Sequence, residues 1–308
     1  GSGTDDTITF TGNIGLEAAL PDITKATGTL TIEGNGYTLS RNSVPSEFRI
    51  LTINAGVVTI DRLTISGGYV STGSGGGIDN YGTLTLTNCT VSGNTAKFFG
   101  GGIDSSGTLT LTNCTVSGNT ANDSGGGICN YDGGILTLTN CTVSNNTAGD
   151  DGGGIYNYYS TLNMTNCTVS GNTAGGNGGG INSQYGILTL IRNIVSGNTA
   201  ANGSEIYLWG NPTIDADAHN VFGNSDLTTA EAFYDFTPGA TDVTCTSDGT
   251  RSTALASILN STLADNGGPT QTHALVAGSP ATDRDQVSLA GSYPATDQRG
   301  VFRPYGLG

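Results

Sequence analysis

The sequence predicts an all-β fold, a parallel β-helix (β-solenoid) with about 26 residues and three short strands per coil. Three observations lead there. The 308 residues include 50 Gly, 47 Thr and 28 Asn, with only 11% charged, a composition of strands and turns rather than helices. The segment TLTLTNCTVSGN stands at 83–94 and again at 108–119, with variants at 135–146, 161–172 and 187–198. Inside each copy apolar and polar residues alternate, the period of a strand with one buried face.

A unit this short cannot bury its own apolar face, so the copies must stack. Leu84 and Leu86 face inward between Thr83, Thr85 and Thr87. Cys89 and Val91 form a second inward pair after a corner at Asn88. A Gly triplet and Ile at 75–78 open the third strand, and the same four residues recur at 100–103, 125–128, 152–155 and 178–181. Each coil rises by one strand spacing, about 4.8 Å. Leu84, Leu109, Leu136, Leu162 and Leu188 then form one apolar column. A leucine-rich repeat would add a helix to each unit, and a propeller blade needs ~40 residues or more; neither fits. VVTIDRLTISG at 57–67 fits one period upstream and HNVFGN at 219–224 one period downstream. The β-helix is expected over 1–226, with irregular coils at 1–55 and regular repeats at 56–226. The nonrepetitive segment 227–308 is expected to pack on the flank or end of the solenoid. The start at Gly1-Ser2-Gly3 reads as a processed or trimmed end.

Ten Lys+Arg against 25 Asp+Glu give a net charge of −15. No basic stripe can be assembled to displace counterions from phosphates, so nucleic acid is excluded as a partner, and anionic membrane surfaces are disfavoured. No apolar run approaches the ~18–20 residues that span a bilayer, so no membrane insertion is expected.

The repeat GGGI-x-N followed by GTLTLTNCTVSGN resembles bacterial surface β-helix proteins, including the polymorphic outer-membrane protein group. LADNGGPTQTHAL at 263–275, GSPATD at 278–283 and DQRG-x-x-RP at 297–304 resemble the choice-of-anchor Q domain family. DTITF at 6–10 and LTISGG at 63–68 extend the likeness over most of the chain. The resemblance implies a right-handed coil and a secreted, extracellular or surface-attached bacterial protein.

Several columns follow from the stacking. Asn88, Asn113, Asn140, Asn166 and Asn193 recur at steps of 25, 27, 26 and 27 residues, with Arg62 one period earlier. They are expected to form a structural ladder of corner amides. Cys89, Cys114, Cys141 and Cys167, continued by Ile194, are expected to pack as small buried hydrophobes. Cys129 occupies a slot expected to face outward and Cys245 lies in the nonrepetitive part; a disulfide between them is expected to tie that part down. Tyr81, Tyr131, Tyr158, Tyr159 and Tyr185 recur at one lateral corner. They are a contact surface for sugars or protein, or aromatics shielding a sheet edge; both readings stand. The outward Thr rows suit exposed strands, with ice binding as an alternative. The acidic loops before the triplets read as solvated turns.

No catalytic residues, metal site or cofactor are expected. A uronan lyase needs a base beside the substrate carboxylate, and the repeats supply only Arg62, Lys97 and Arg192, far apart along the axis. A glycosidase needs two carboxylates beside a groove; Asp pairs occur, but long active-site loops do not. The sequence thus points to a structural or adhesive surface solenoid that associates with itself end to end into an extracellular filament. The alternatives are a carbohydrate-binding or polysaccharide-cleaving β-helix and an ice-binding solenoid.

Overall fold

A computed structural model describes residues 5–42, 46–216, 219–282 and 296–301, and the repeats wind into stacked parallel strands. Each regular coil carries the three expected strands, here Ile78–Asn80, Thr83–Thr87 and Thr90–Ser92. A two-residue strand, Thr95–Ala96, follows as a fourth. Counterparts pair in register one repeat on: Ile78 with Ile103, Leu84 with Leu109, Val91 with Val116 and Ala96 with Ala121. The stacks are called below the isoleucine, leucine, valine and alanine sheets. Ile78, Leu84, Leu86, Val91 and their counterparts are fully buried, one column above another. Each such side chain stabilises the fold by about 1.5–3 kcal/mol through burial alone.

Between the leucine and valine sheets the chain turns at one left-handed residue: Arg62, Asn88, Asn113, Asn140, Asn166, Arg192 and His219, with φ between 50° and 61°. Asn tolerates that region because its short amide bonds locally. The corner column therefore runs through Arg192, not Asn193. Ile194 pairs with Thr168, which puts Asn193 in the column of the thiols and ends the cysteine run there. The one-residue shift arises because IRNIV replaces TNCTV, and strand pairing rather than residue identity sets the register.

The continuous amide ladder lies elsewhere, after the valine sheet. Asn94, Asn119, Asn146, Asn172 and Asn198 are buried in the interior. Asn119 shows the pattern: its backbone N and its Nδ2 donate to Asn146 Oδ1 at 3.0 and 2.9 Å, and Nδ2 also donates to the Val91 carbonyl at 3.0 Å. The third glycine of each triplet leaves room for it. A Cβ on Gly102 would lie 2.6 Å from Gly127 O and 3.0 Å from Asn119 Nδ2. Where the triplet ends, Glu205 stands in the register slot of Gly180, because Ile206 pairs with Ile181. Its carboxylate terminates the ladder, accepting from Asn198 Nδ2 at 2.6 Å and from Gly197 N at 2.8 Å. Burial lifts the Glu205 pKa to about 7 against these bonds.

The irregular N-terminal coils join the same stack. Ile23–Arg41 pairs with Asp6–Thr9 and Ile14–Leu16 on one side and with Leu51–Ser66 on the other. The stack also runs past residue 226: Phe233–Tyr234 pairs with Ile206–Trp209, and Val243–Thr244 with Val221–Phe222. The chain then turns back along the outside of the valine sheet. Thr270 Oγ1 donates to Asn113 O at 3.0 Å, and Thr115 Oγ1 to Gln271 O at 2.6 Å. Gln298 donates to Cys114 O at 3.0 Å and accepts from Thr142 Oγ1 at 2.8 Å. These contacts place the tail on the flank.

Candidate functional site

The thiol column is part of the core. Cys89, Cys114, Cys141 and Cys167 are buried, and Cys89 Sγ donates to the carbonyls of Thr87 at 3.2 Å and Ile60 at 3.4 Å. Burial pushes the thiols of Cys114 and Cys167 well above their ordinary pKa, which leaves them poor nucleophiles and metal ligands. The corner amides link in part: Asn88 to Asp61, Asn113 to Asn88 and Asn140 to Asn113 at 3.0–3.3 Å. The Asn166 amide takes no partner among the described residues.

The expected disulfide does not form. Cys129 lies in the isoleucine sheet, and Cys245 follows Val243–Thr244 at the end of the valine sheet stack. The coil of Cys245 is four rungs beyond that of Cys129, about 19 Å along the axis, where a disulfide needs Cα atoms within about 7 Å. Nor is Cys129 open to solvent: it is 2% exposed, because the turn before the triplet lies across it, with Gly125 directly above.

Residues preceding the triplets cover the same slot in other coils. Asp79 and Asp104 are register neighbours there, 3% and 2% exposed. Arg49 forms an ion pair with Asp79 and donates to Ser74 O at 2.9 Å. Burial raises both carboxyls. Arg49 opposes the rise at Asp79, whereas the Asp79 charge adds to it at Asp104, which reaches about 7. A carboxyl beside another with a different pKa is the arrangement of acid–base catalysts. This pair is sealed beneath the backbone of Gly75 and Gly100.

What faces solvent is aromatic. In the second outward column of the isoleucine sheet Tyr131 pairs with Tyr158, Tyr158 with Gln184, and Gln184 with Trp209. The next position along the chain adds Tyr159 and Tyr185, both left-handed, with φ of 51° and 55°. Their rings stack at 4.6 Å with 7° between planes, and Tyr158 meets Tyr159 edge-on at 4.6 Å. Trp209 Nε1 donates to Tyr185 Oη at 3.1 Å, and the Tyr207 and Tyr234 rings stack at 4.5 Å beside it. Tyr159 is 52% and Trp209 45% exposed. Tyr158, Tyr159 and Tyr185 thus come together, while Tyr81 and Tyr131 join no ring contact among the described residues.

Tyr81 instead walls an open cleft of about 500 Å³ on the same corner. Its lining comes from four successive coils and includes Gly56, Gly82, Gly107 and Gly133 together with Val57, Ser106 and Ile135. The volume lies within the range of small-ligand sites. The position just before the leucine sheet is glycine at 56, 82, 107 and 134 and continues as Ser160 and Gly186, while Tyr159 and Tyr185 stand one residue earlier in their coils. Gly133 N donates to Tyr159 O at 3.0 Å, so the cleft stops where the aromatic stack begins.

Sequence reasoning missed Trp209, Tyr207 and Tyr234. The signal for Tyr207 and Trp209 was the alignment of GSEIYLW with GGGINSQ through Ile206 and Ile181, obscured by the loss of the triplet; Tyr234 follows one coil on through Phe233.

Residues 22–220 match the profile of the right-handed β-helix region family. The chain belongs to that family. No curated protein and no solved structure matches it. The right-handed β-helix thus spans the glycine cleft and most of the aromatic stack within its matched region, and only Tyr234 of the stack lies beyond it.

Proposed function

We propose that this β-helix is a secreted, surface-attached bacterial adhesin that binds glycans along its aromatic corner. One observation carries the reading: an open cleft on this corner leads toward a solvent-facing stack of Tyr159, Tyr185 and Trp209. Exposed aromatic rings recognise the apolar faces of sugars while their hydroxyls and N–H groups bond to sugar hydroxyls. The likeness of 263–275 and 297–304 to choice-of-anchor Q proteins supports the surface location. Binding rather than cleavage is supported by the covering of Asp79 and Asp104, which keeps the paired carboxyls from a glycosidic bond. A glycan array probed with the wild-type chain and with Tyr159→Ala and Trp209→Ala tests the reading. Wild-type binding weakened tenfold or more by either change, about 1.4 kcal/mol, is expected. Binding that neither change affects contradicts it, as does release of reducing ends from a bound glycan.

Head-to-tail stacking is a second reading. Among the described residues Asp6–Thr9 pairs on one side only, with Ile8 exposed beside it. An unpaired edge is a template for another strand. Concentration-dependent growth in light scattering is expected, and a constant monomer mass up to millimolar concentration contradicts it.

A further inference from the structure

We infer that the ligand is an uncharged, extended β-1,4-linked glycan lying parallel to the solenoid axis, with about one sugar per coil. This rests on the glycan-binding reading and adds orientation, length and charge to it.

Orientation follows from the cleft and the register. The cleft is lined by residues of four successive coils, with Gly56, Gly82 and Gly107 at one register position, so the groove runs along the axis. In the next two coils Tyr159 and Tyr185, each one residue before that position, carry the same corner onward as a stacked pair. A ligand crossing the sheets would leave this corner within one coil and meet threonine rows instead. The coil rise of about 4.8 Å is close to the length of one pyranose in an extended β-1,4 chain. The outward column offers one side chain per coil at the same spacing: Tyr131, Tyr158, Gln184 and Trp209 in paired register, with Tyr81 and Ser106 directly after the paired strands of the two earlier coils. Rings and hydrogen-bonding groups are both present, as a flat sugar ribbon with hydroxyl edges requires.

Charge follows from the surroundings. Asp132 and Asp235 are exposed in the turns at this corner, and the chain carries −15 overall. A uronate or sulfated chain would be repelled along its whole length.

Trp209 is the one tryptophan of the chain, so its fluorescence reports occupancy at the far end of the proposed path. The test is calorimetric and fluorescence titration with linear β-1,4-linked glucose, xylose and N-acetylglucosamine oligomers of graded length, with oligogalacturonates for comparison. For at least one neutral series, Kd is expected to fall at least tenfold as the oligomer lengthens from two to about six sugars, with Trp209 emission shifting for the longer members. Ser106→Leu, which narrows the cleft far from the aromatic stack, is expected to remove most of that gain and leave the shortest oligomers unaffected. Equal affinity at every length, or a Ser106→Leu profile identical to wild type, overturns the axial path while glycan binding stands. Tighter binding of oligogalacturonates than of every neutral series overturns the charge assignment. Binding by none of the series in solution, with array binding retained, overturns the β-1,4 class; loss of both overturns the glycan reading itself.

Discussion

A single carboxyl closes the longest buried amide ladder, and its chemistry makes the fold sensitive to pH. Burial holds the proton on Glu205 up to about pH 7, whereas an unfolded chain releases it near the ordinary value of 4.5. Between those limits the folded state binds more protons, so stability falls as pH rises from about 4.5 to 7 and levels off above. The shift corresponds to a loss on the order of 3 kcal/mol. Urea unfolding across this range should show Glu205→Gln, which keeps an acceptor for Asn198, losing that part of the slope. An unchanged slope would remove Glu205 from the account. The two asparagine columns should separate in the same assay. Asn146→Ala strands partners on both neighbouring rungs and should cost about 3 kcal/mol, since each buried group left unsatisfied costs ~1–3 kcal/mol. Asn113→Gly, at a half-buried corner with φ 54°, should cost under ~1 kcal/mol. Similar losses for the two would contradict the assignment of the interior ladder. The six buried cysteines should resist a thiol reagent in the folded protein and react together on unfolding; a fast-reacting thiol in the native state would contradict their burial.

At the scale of the coil, the strands and their core faces were legible because two-residue alternation and a near-constant step act together. The leucine, valine and isoleucine strands all fall where the repeat puts them. The turns were harder to read. Asn193 and Ile194 resemble the residues they follow, yet one substituted strand moved each to a different column. The outward slot of Cys129 is outward in direction but covered, because a folded-over turn leaves no mark in the alternation. The aromatic corner was half visible: Tyr158, Tyr159 and Tyr185 were found from recurrence, whereas Trp209 sits after a degraded triplet. The cleft was invisible as a site, since a third of its lining is glycine, which leaves no side-chain pattern to read. The core columns make a further prediction. Leu111→Ala empties a site enclosed by the coils above and below and should cost about 2–5 kcal/mol in chemical denaturation. A loss below 1 kcal/mol would mean that the coils close up around the gap.

Over the whole molecule the tail fastens the solenoid across several coils. Gln298 binds Cys114 O, Thr115 and Thr270 as a donor and Thr142 as an acceptor. Gln298→Ala should loosen the tail and leave the coils intact, with limited proteolysis cutting beyond 245 faster and the β-sheet circular dichroism unchanged. Loss of the sheet signal would make the tail a condition of folding rather than a clasp. Among the described residues the tail lies on the valine sheet, and Tyr159 and Trp209 at the aromatic corner stay exposed. On the proposed reading the net charge, the cleft and the aromatic stack together form one surface for an uncharged chain along the axis. The most direct measurement is a crystal structure with a six-sugar neutral β-1,4 oligomer bound. The account predicts sugar density running parallel to the axis between Tyr81 and Trp209; density crossing the coils, or seated on another face, would contradict it.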